Sequence, residues 1–287
     1  MNSSSSSKTI GIIGLGLIGG SLALDLYQKG HHILGISRAH QSCRRALERK
    51  ACHQVSSDME LVRGADLIFL CTPIGSIIST LEAILPYVSA STILTDVASV
   101  KGVIVEKCSM LCSNFIGGHP MAGNARTGIE AAQYNLFRNA PYVLTPIETT
   151  SVESLEVMQD IIAELGAITY ISDPYEHDRS VSWISHLPVM VSAALLESVN
   201  SKAEPEILEL AKNLASSGFR DTTRIGGGNP QLGLMMAQYN QEAILDSLIN
   251  YQQVLQEITD HIRKQDWISL ETILQRAHAK RPDFLRD

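Results

Sequence analysis

No apolar run in this 287-residue chain reaches the roughly 18 residues that a helix needs to cross a bilayer. A helical membrane protein is therefore not expected. Nor is there a basic tract. Lys plus Arg number 23 against 30 for Asp plus Glu, giving a net charge of −7. General nucleic-acid binding, which runs on cationic surface, is a poor fit to that balance. An anionic small ligand needs only a local positive site and stays open. Cysteines are few and unpatterned: Cys43, Cys52, Cys71, Cys108 and Cys112. No CxxC pair occurs, and Cys108 with Cys112 has no partners at zinc spacing, so no metal site is expected. An odd count without a framework predicts reduced thiols, acting as small buried hydrophobes, in a cytoplasmic compartment. No basic segment precedes an apolar one at the N-terminus, so no signal peptide is read. Met1, Asn2 and serines 3 to 7 read as a disordered leader. No internal repeat is found.

What is present is globular material. Hydrophobic residues make up 45% and charged residues 18% of the chain. That is enough to bury a large core and too much for a globally disordered chain. The length predicts about two domains. In the first half, six short apolar runs read as strands: Thr9–Ile13, His32–Ile36, Ala65–Cys71, Thr92–Asp96, Phe115–Gly117 and Tyr142–Leu144. Helical patterns fill 41–50, 75–85, 99–111 and 151–165. Continuous apolar strands separated by helices predict a parallel sheet covered on both faces. The texture changes at Asp173-Pro174, a plausible helix start, and strand signals nearly vanish beyond it. The expected division is 8–172 for a dinucleotide-binding α/β domain and 173–287 for a helical one. The stretch Trp183–Leu196 is apolar almost throughout and predicts a helix buried on all sides. Further on, Ile244, Leu248, Tyr251, Leu255, Ile258 and Ile262 recur at heptad-like spacing. Such a seam packs either within its own domain or across a dimer.

Gly14-Leu15-Gly16-Leu17-Ile18-Gly19 carries the strongest chemical signal. It follows a strand and opens a helix, the context in which GxGxxG binds a dinucleotide. Gly14 makes the tight turn, Gly16 lets the backbone approach a pyrophosphate, and Gly19 allows close helix–strand packing. Leu17 and Ile18 lie between them, where free N–H groups of the helix N-terminus face the phosphates. At the end of the second strand, where an NAD enzyme places a carboxylate, this chain has Ser37-Arg38. Arg38 can pair with a 2′-phosphate and Ser37 can donate to it, which predicts NADP. The competing reading is a solvated Arg38 with NAD bound less selectively. Thr72-Pro73 either lines the nicotinamide side or merely ends the third strand.

Two more loops fall on the same sheet edge: Asp96–Lys101, with Asp96 and Ser99 expected beside the cofactor, and Gly117–Gly123, with His119 held between glycines and a proline. Histidine is suited to proton transfer near neutral pH. A loop histidine by itself is more often structural; a place beside the nicotinamide favours catalysis. In the second half, His177-Asp178 and Ser185-His186-Leu187-Pro188 interrupt apolar helix, and His186 reads either as a buried, satisfied histidine or as a site residue. The stretch Ser216–Pro230 sets Arg220, Asp221 and Arg224 among glycines. It is read as a loop that binds a carboxylate with an arginine fork, against the alternative of solvated arginines.

These segments resemble the arogenate and prephenate dehydrogenases. The similarity is carried by five motifs in order: Gly14–Ala23, Thr95–Lys101, Gly118–Gly123, Ile184–Pro188 and Gly218–Arg224. The likeness is greatest to the cyanobacterial-type, NADP-dependent arogenate dehydrogenases. It implies an N-terminal Rossmann-like domain with a C-terminal all-α domain that forms a homodimer. It implies oxidative decarboxylation of arogenate to tyrosine, with no nucleic-acid or membrane partner. By the family pattern His119 accepts from the substrate 4-hydroxyl and Ser99 bonds that hydroxyl and the nicotinamide side. Arg224 holds a substrate carboxylate and His186 positions substrate; Arg220 and Asp221 share that loop. After Pro188 the chain has Val189-Met190, where several prephenate-preferring members place another histidine, which points to arogenate. Rival classes are another two-domain NADP oxidoreductase, such as a hydroxyacid dehydrogenase or imine reductase, and a non-catalytic dinucleotide sensor.

Overall fold

In a computed structural model, residues 7–124, 126–202 and 204–285 are described. The expected leader lies outside them except for Ser7. The first half builds an eight-stranded sheet in the order β3-β2-β1-β4-β5-β6-β7-β8. In chain order its elements are β1 (Thr9–Ile13), α1 (Leu17–Gln28), β2 (His32–Ile36), α2 (His40–Glu48), β3 (Gln54–Ser56), β4 (Leu67–Leu70), α3 (Ile77–Ile84), β5 (Ile93–Asp96), α4 (Gly102–Leu111), β6 (Phe115–Pro120), β7 (Pro141–Thr145), α5 (Val152–Glu164) and β8 (Ile168–Ile171).

The pleat explains the continuous apolar runs. Successive side chains point to opposite faces. Ile12 and Phe69 enter a core with Leu22 and Leu26 of α1 and Ile161 of α5. Their neighbours Ile13 and Leu70 enter a second core with Leu81 of α3 and Ile104 of α4. Both faces are covered, as the sequence predicts for a parallel sheet. β1 pairs in parallel with β2 on one side and β4 on the other, so the strand order reverses beside β1. Ligands bind at such a reversal, outside the carboxyl ends of the strands.

Two strands go beyond the expectation, and one runs the other way. β3 has three residues, and β8 is exposed at three of its four positions. Both lie at sheet edges, where no buried apolar run is needed. β7 is antiparallel to β6. Among its described residues the connection from 121 to 140 contains only a 3-10 turn, Ile129–Ala131, and a parallel pairing needs a crossover, usually helical.

The helical half runs through α6 (Pro174–Val181), a π-helical turn (Ser182–His186), α7 (Leu187–Lys202), α8 (Pro205–Leu214), α9 (Ser217–Thr223) and α10 (Pro230–Tyr239). The stretch read as a 216–230 loop therefore contains a helix. Pro174–Val199 forms a helical run of 26 residues. By length and mean hydropathy alone it fits a bilayer span, although no purely apolar run of that length exists in the sequence. Its His177, Asp178 and His186 are instead built into the site below. Burial on all sides is not found: Trp183 is 45% exposed and Ile184 56%. Within the chain, cover comes from one side, where Gly226 lies against Ser192 and Ala193.

The chain packs as two compact units, one ending at Asn240 and one spanning Gln241–Asp287. The second unit comprises α11 (Gln241–Lys264), α12 (Trp267–Lys280) and a terminal 3-10 turn. Of the heptad-like seam on α11, Tyr251, Leu255 and Ile262 are exposed on the single chain.

Candidate active site

A cleft of about 1190 Å³ opens at the carboxyl edge of the sheet. The glycine loop forms its floor. Gly14 has φ +106°, and a Cβ there would stand 2.5 Å from the Cys71 carbonyl oxygen. Its N–H donates to the Ile36 carbonyl at 2.8 Å. A Cβ at Gly19 would overlap the Gly14 carbonyl oxygen and stand 2.9 Å from Cys71 Cβ. Gly16 is different: a Cβ there would meet nothing within 4 Å. It precedes the first turn of α1 and offers no side-chain cap. Open space beside uncapped N–H groups is what a pyrophosphate requires. The residues thus fit a dinucleotide, with Leu17 and Ile18 on the same wall.

Ser37 and Arg38 line the cleft at the end of β2. Ser37 Oγ accepts from the Ala39 N–H at 3.2 Å, which turns the chain there. Arg38 is exposed and makes no ion pair among the described residues. Thr72 and Pro73 also line the cleft, as does Ser99. Ser99 Oγ is buried and has no hydrogen-bond partner among the described residues.

Asp96 is not on the cleft wall. It is fully buried and works behind the loops. Its carboxylate accepts from the Ala98 N–H at 2.9 Å and the Gly118 N–H at 3.2 Å. It also pairs closely with the buried Lys101 ammonium. Lys101 Nζ donates in turn to the Gly118 carbonyl at 2.8 Å. The expected cofactor contact is thereby corrected: a short carboxylate at the end of β5 is consumed in tying the Ser99 loop to the His119 strand.

His119 lies on β6 itself, paired with Val143, rather than on a following loop. It lines the cleft yet is only 7% exposed. Its Nδ1 stands 2.8 Å from His177 Nε2, and His177 Nδ1 stands 2.8 Å from Asp178 Oδ1. The chemistry of the last member orders the chain. An ionised Asp178 can only accept, so His177 Nδ1 carries a proton, and a neutral His177 then has a bare Nε2. His177 Nε2 therefore accepts from His119 Nδ1–H, which leaves the His119 Nε2 lone pair free. Asp178 also accepts the backbone N–H groups of Lys101 at 2.7 Å and Gly102 at 2.8 Å, capping α4 from another element. The expected helix at 99–111 starts at Gly102 for that reason. Burial first, then the neighbouring His177, Lys101 and His186, hold the His119 pKa well below 6.5. His119 is accordingly neutral at pH 7 and able to accept a proton.

His186 is fully buried behind the wall, and Ser185 takes the cleft-lining place. Direct substrate contact by His186 is thus not what the geometry provides. The two residues lie in the π-helical turn, a device frequent at functional sites. Burial pushes the His186 pKa down to about 4. Arg224, just past α9, lines the cleft. Arg220 and Asp221 do not: both are exposed and pair with each other at 3.0 Å. Arg220 and Asp221 lie on α9 itself, whereas Arg224 stands at its C-terminal end, a division that a loop reading does not anticipate. Sequence reasoning missed the use of His177, Asp178, Lys101 and Asn240. The His177-Asp178 pair stands out in the sequence, but its partner 58 residues upstream does not.

Comparison with known proteins agrees with this geometry. Residues 22–171 match the family described as prephenate dehydrogenase, nucleotide-binding domain. Residues 173–276 match prephenate dehydrogenase, dimerization domain. A prephenate dehydrogenase of Lactococcus lactis is 35% identical over 275 residues, covering 92% of this chain and 74% of that protein. The crystal structure of Synechocystis arogenate dehydrogenase is 50% identical with a TM-score of 0.87, covering 96% of this chain and 100% of that one. That of prephenate dehydrogenase from A. aeolicus, in complex with hydroxyphenyl propionate and NAD+, is 25% identical with a TM-score of 0.92 and covers 99% and 100%. With both halves matched in order on a dinucleotide fold, the chain belongs to the prephenate dehydrogenase family, oxidoreductases that act on prephenate or arogenate, and its likeness is to the cyanobacterial type.

Proposed function

We propose that this enzyme oxidatively decarboxylates L-arogenate to L-tyrosine with NADP, in the cytoplasm, as a homodimer. The observation that carries the chemistry is the His119–His177–Asp178 chain, which presents a bare Nε2 at the cleft. His119 Nε2 accepts from the 4-hydroxyl of the substrate ring. As the O–H pair of electrons shifts toward C4, the C4 hydrogen departs as hydride, and bound NADP supplies the acceptor. The C1 carboxylate leaves as carbon dioxide, its bonding pair closes the aromatic ring, and the proton returns to the phenol oxygen. A placed base is worth roughly 10²–10⁴-fold. The positive charge gained by His119 stays on its ring and is stabilised by the bond to His177, which Asp178 orients, as the carboxylate does in a Ser-His-Asp triad. Arg224 holds a carboxylate with its fork, and Ser99 bonds the reacting hydroxyl. Arg220 and Asp221 lie outside the cleft and take no part in this scheme.

Arogenate is favoured by the 50% identity to Synechocystis arogenate dehydrogenase and by Val189-Met190 after Pro188. Prephenate is the second reading, supported by the name of the Lactococcus relative. An absorbance assay at the reduced-nicotinamide band decides, crossing the two substrates with NADP and NAD. Activity chiefly with arogenate and NADP is the expected result. Prephenate turnover above arogenate turnover overturns the substrate, and silence in all four overturns the activity.

NADP is supported by Ser37 and by the exposed Arg38 at the cleft, which makes no ion pair among the described residues. Replacing Arg38 with Gln removes a charge-assisted bond of about 1.5–3 kcal/mol. By 1.4 kcal/mol per decade the KM for NADP rises about 10- to 100-fold while that for NAD stays nearly constant. Equal shifts for both cofactors would refute the 2′-phosphate role. Dimerisation is supported by the match of residues 173–276 and by the exposed seam on α11. A functional boundary at 172 is supported by the two family matches, which cover residues 22–171 and 173–276.

A further inference from the structure

His119 is held by His177. His186, fully buried, is held by a residue that the activity does not call upon. Asn240 follows α10 and is buried, with 6% exposure. Its Nδ2 stands 2.8 Å from the Asp178 backbone carbonyl oxygen and 3.1 Å from His186 Nδ1.

The first contact fixes the chemistry of the second. A carbonyl oxygen only accepts, so the Asn240 atom that meets it is the amide nitrogen. That NH₂ has two hydrogens; one goes to Asp178 and the other points at His186 Nδ1. A ring nitrogen that receives an N–H carries no proton of its own. At neutral pH, with the His186 pKa held down to about 4, the single ring proton then sits on Nε2. His186 Nε2 is buried and has no partner at hydrogen-bond distance among the described residues; the Ser99 backbone is among the groups that act on the ring, favouring its protonated form.

We infer that Asn240 is a positioning residue: it fixes His186 as the Nε2–H tautomer, and His186 in that form directs a donor at the Ser99 backbone and holds the Ser99 loop in place. The role assigned to Ser99 rests on the proposed reaction; the tautomer does not. The two site histidines are thereby set in opposite senses around one residue. The Asp178 carboxylate, through His177, gives His119 a bare Nε2 facing the cleft. The Asp178 carbonyl, through Asn240, gives His186 a protonated Nε2 facing the loop. The same carboxylate receives the N–H groups of Lys101 and Gly102 at the end of that loop.

The test uses the full-length protein without substrate. Histidine is labelled with ¹⁵N, and a long-range ¹H–¹⁵N spectrum separates bare from protonated ring nitrogens. The His186 signals are assigned by their loss in His186→Gln. The expected wild-type result is protonated Nε2 and bare Nδ1; the reverse overturns the inference without any variant at position 240. In Asn240→Asp the near-isosteric carboxylate only accepts, so His186 is expected to move its proton to Nδ1. Retention on Nε2 overturns the role of Asn240. In the same variant kcat should fall by up to about 10²-fold, the scale of a misplaced reacting group, with the dissociation constant for NADP unchanged. A reversed tautomer with unchanged kcat would overturn the link to Ser99. Should the proposed substrate prove wrong, the spectra stand apart from that failure, and kcat is read with whichever ring substrate is turned over.

Discussion

Replacing His119 with Asn is expected to lower kcat by about 10²–10⁴-fold, the range for loss of a placed proton acceptor. The dissociation constant for NADP should stay within about twofold, because the contacts offered to the phosphates come from Gly14 to Gly19 and from Arg38, on other elements. Asn is preferred to Ala because its amide can still donate to His177 Nε2. That keeps the His177–Asp178 pair satisfied in a site where an orphaned polar group is costly. The measurement is single-turnover absorbance beside a titration of cofactor fluorescence. A variant that turns over normally would remove His119 from the chemistry. A variant that loses cofactor in step with kcat would make it a structural residue.

The pH profile gives the same histidine a second signature. Burial, and then the neighbouring His177, Lys101 and His186, lower its pKa, which disfavours the protonated form. A base must be deprotonated to act. Activity is therefore full at pH 7, persists as pH falls through the ordinary histidine value of 6.5, and declines only well below it. A wild-type acid limb centred at or above 6.5 would contradict the buried, neutral His119.

Much of the fold is legible in the sequence because burial writes itself into composition. Strands such as Leu67–Leu70 are covered on both faces, so each position must be apolar. The glycine loop is legible because only glycine suits φ +106° at Gly14 and the contact of Gly19 with Gly14 and Cys71. β8 escapes notice because an exposed edge places no such demand on Ile168–Ile171. The site divides along the same line. His119, Ser99, Arg38 and Arg224 sit on motifs and reach the cleft. Asp96 and His186 sit on equally strong motifs and do not. A motif tells that a residue is constrained; it does not tell whether the constraint is a ligand or another side chain. Arg220 and Arg224 share one motif, but only Arg224, at the C-terminal end of α9, lines the cleft. Pairings across 58 residues, such as His119 with His177, leave no local pattern at all.

The second large effect belongs to a pair that touches no ligand. Lys101 and Asp96 are both fully buried and paired with each other. Burial pushes the Lys101 pKa down and Asp96 pulls it back up. Such a pair adds little net stability over an apolar one, since desolvation consumes much of the attraction. Breaking it is another matter. Lys101→Met leaves the Asp96 carboxylate charged and buried, which costs about 3–5 kcal/mol. At roughly 2–4 °C per kcal/mol for a unit of this size, the Tm falls by about 6–20 °C. The double variant Asp96→Asn/Lys101→Met removes both charges, and the single Asn oxygen can still accept one of the two N–H groups, those of Ala98 and Gly118, which bond different oxygens of Asp96. It should recover at least half of that loss. The hydrogen bond from Lys101 to Asp178 comes from the backbone N–H, so neither variant removes a bond of the His119–His177–Asp178 chain. Tm values from calorimetry on the four proteins of the cycle decide. A double variant no more stable than Lys101→Met would mean that the lost Nζ bond to the Gly118 carbonyl, rather than an unpaired charge, sets the cost. The tie between the Ser99 loop and the His119 strand would then be a hydrogen bond from lysine to backbone, with Asp96 serving only to keep that lysine charged.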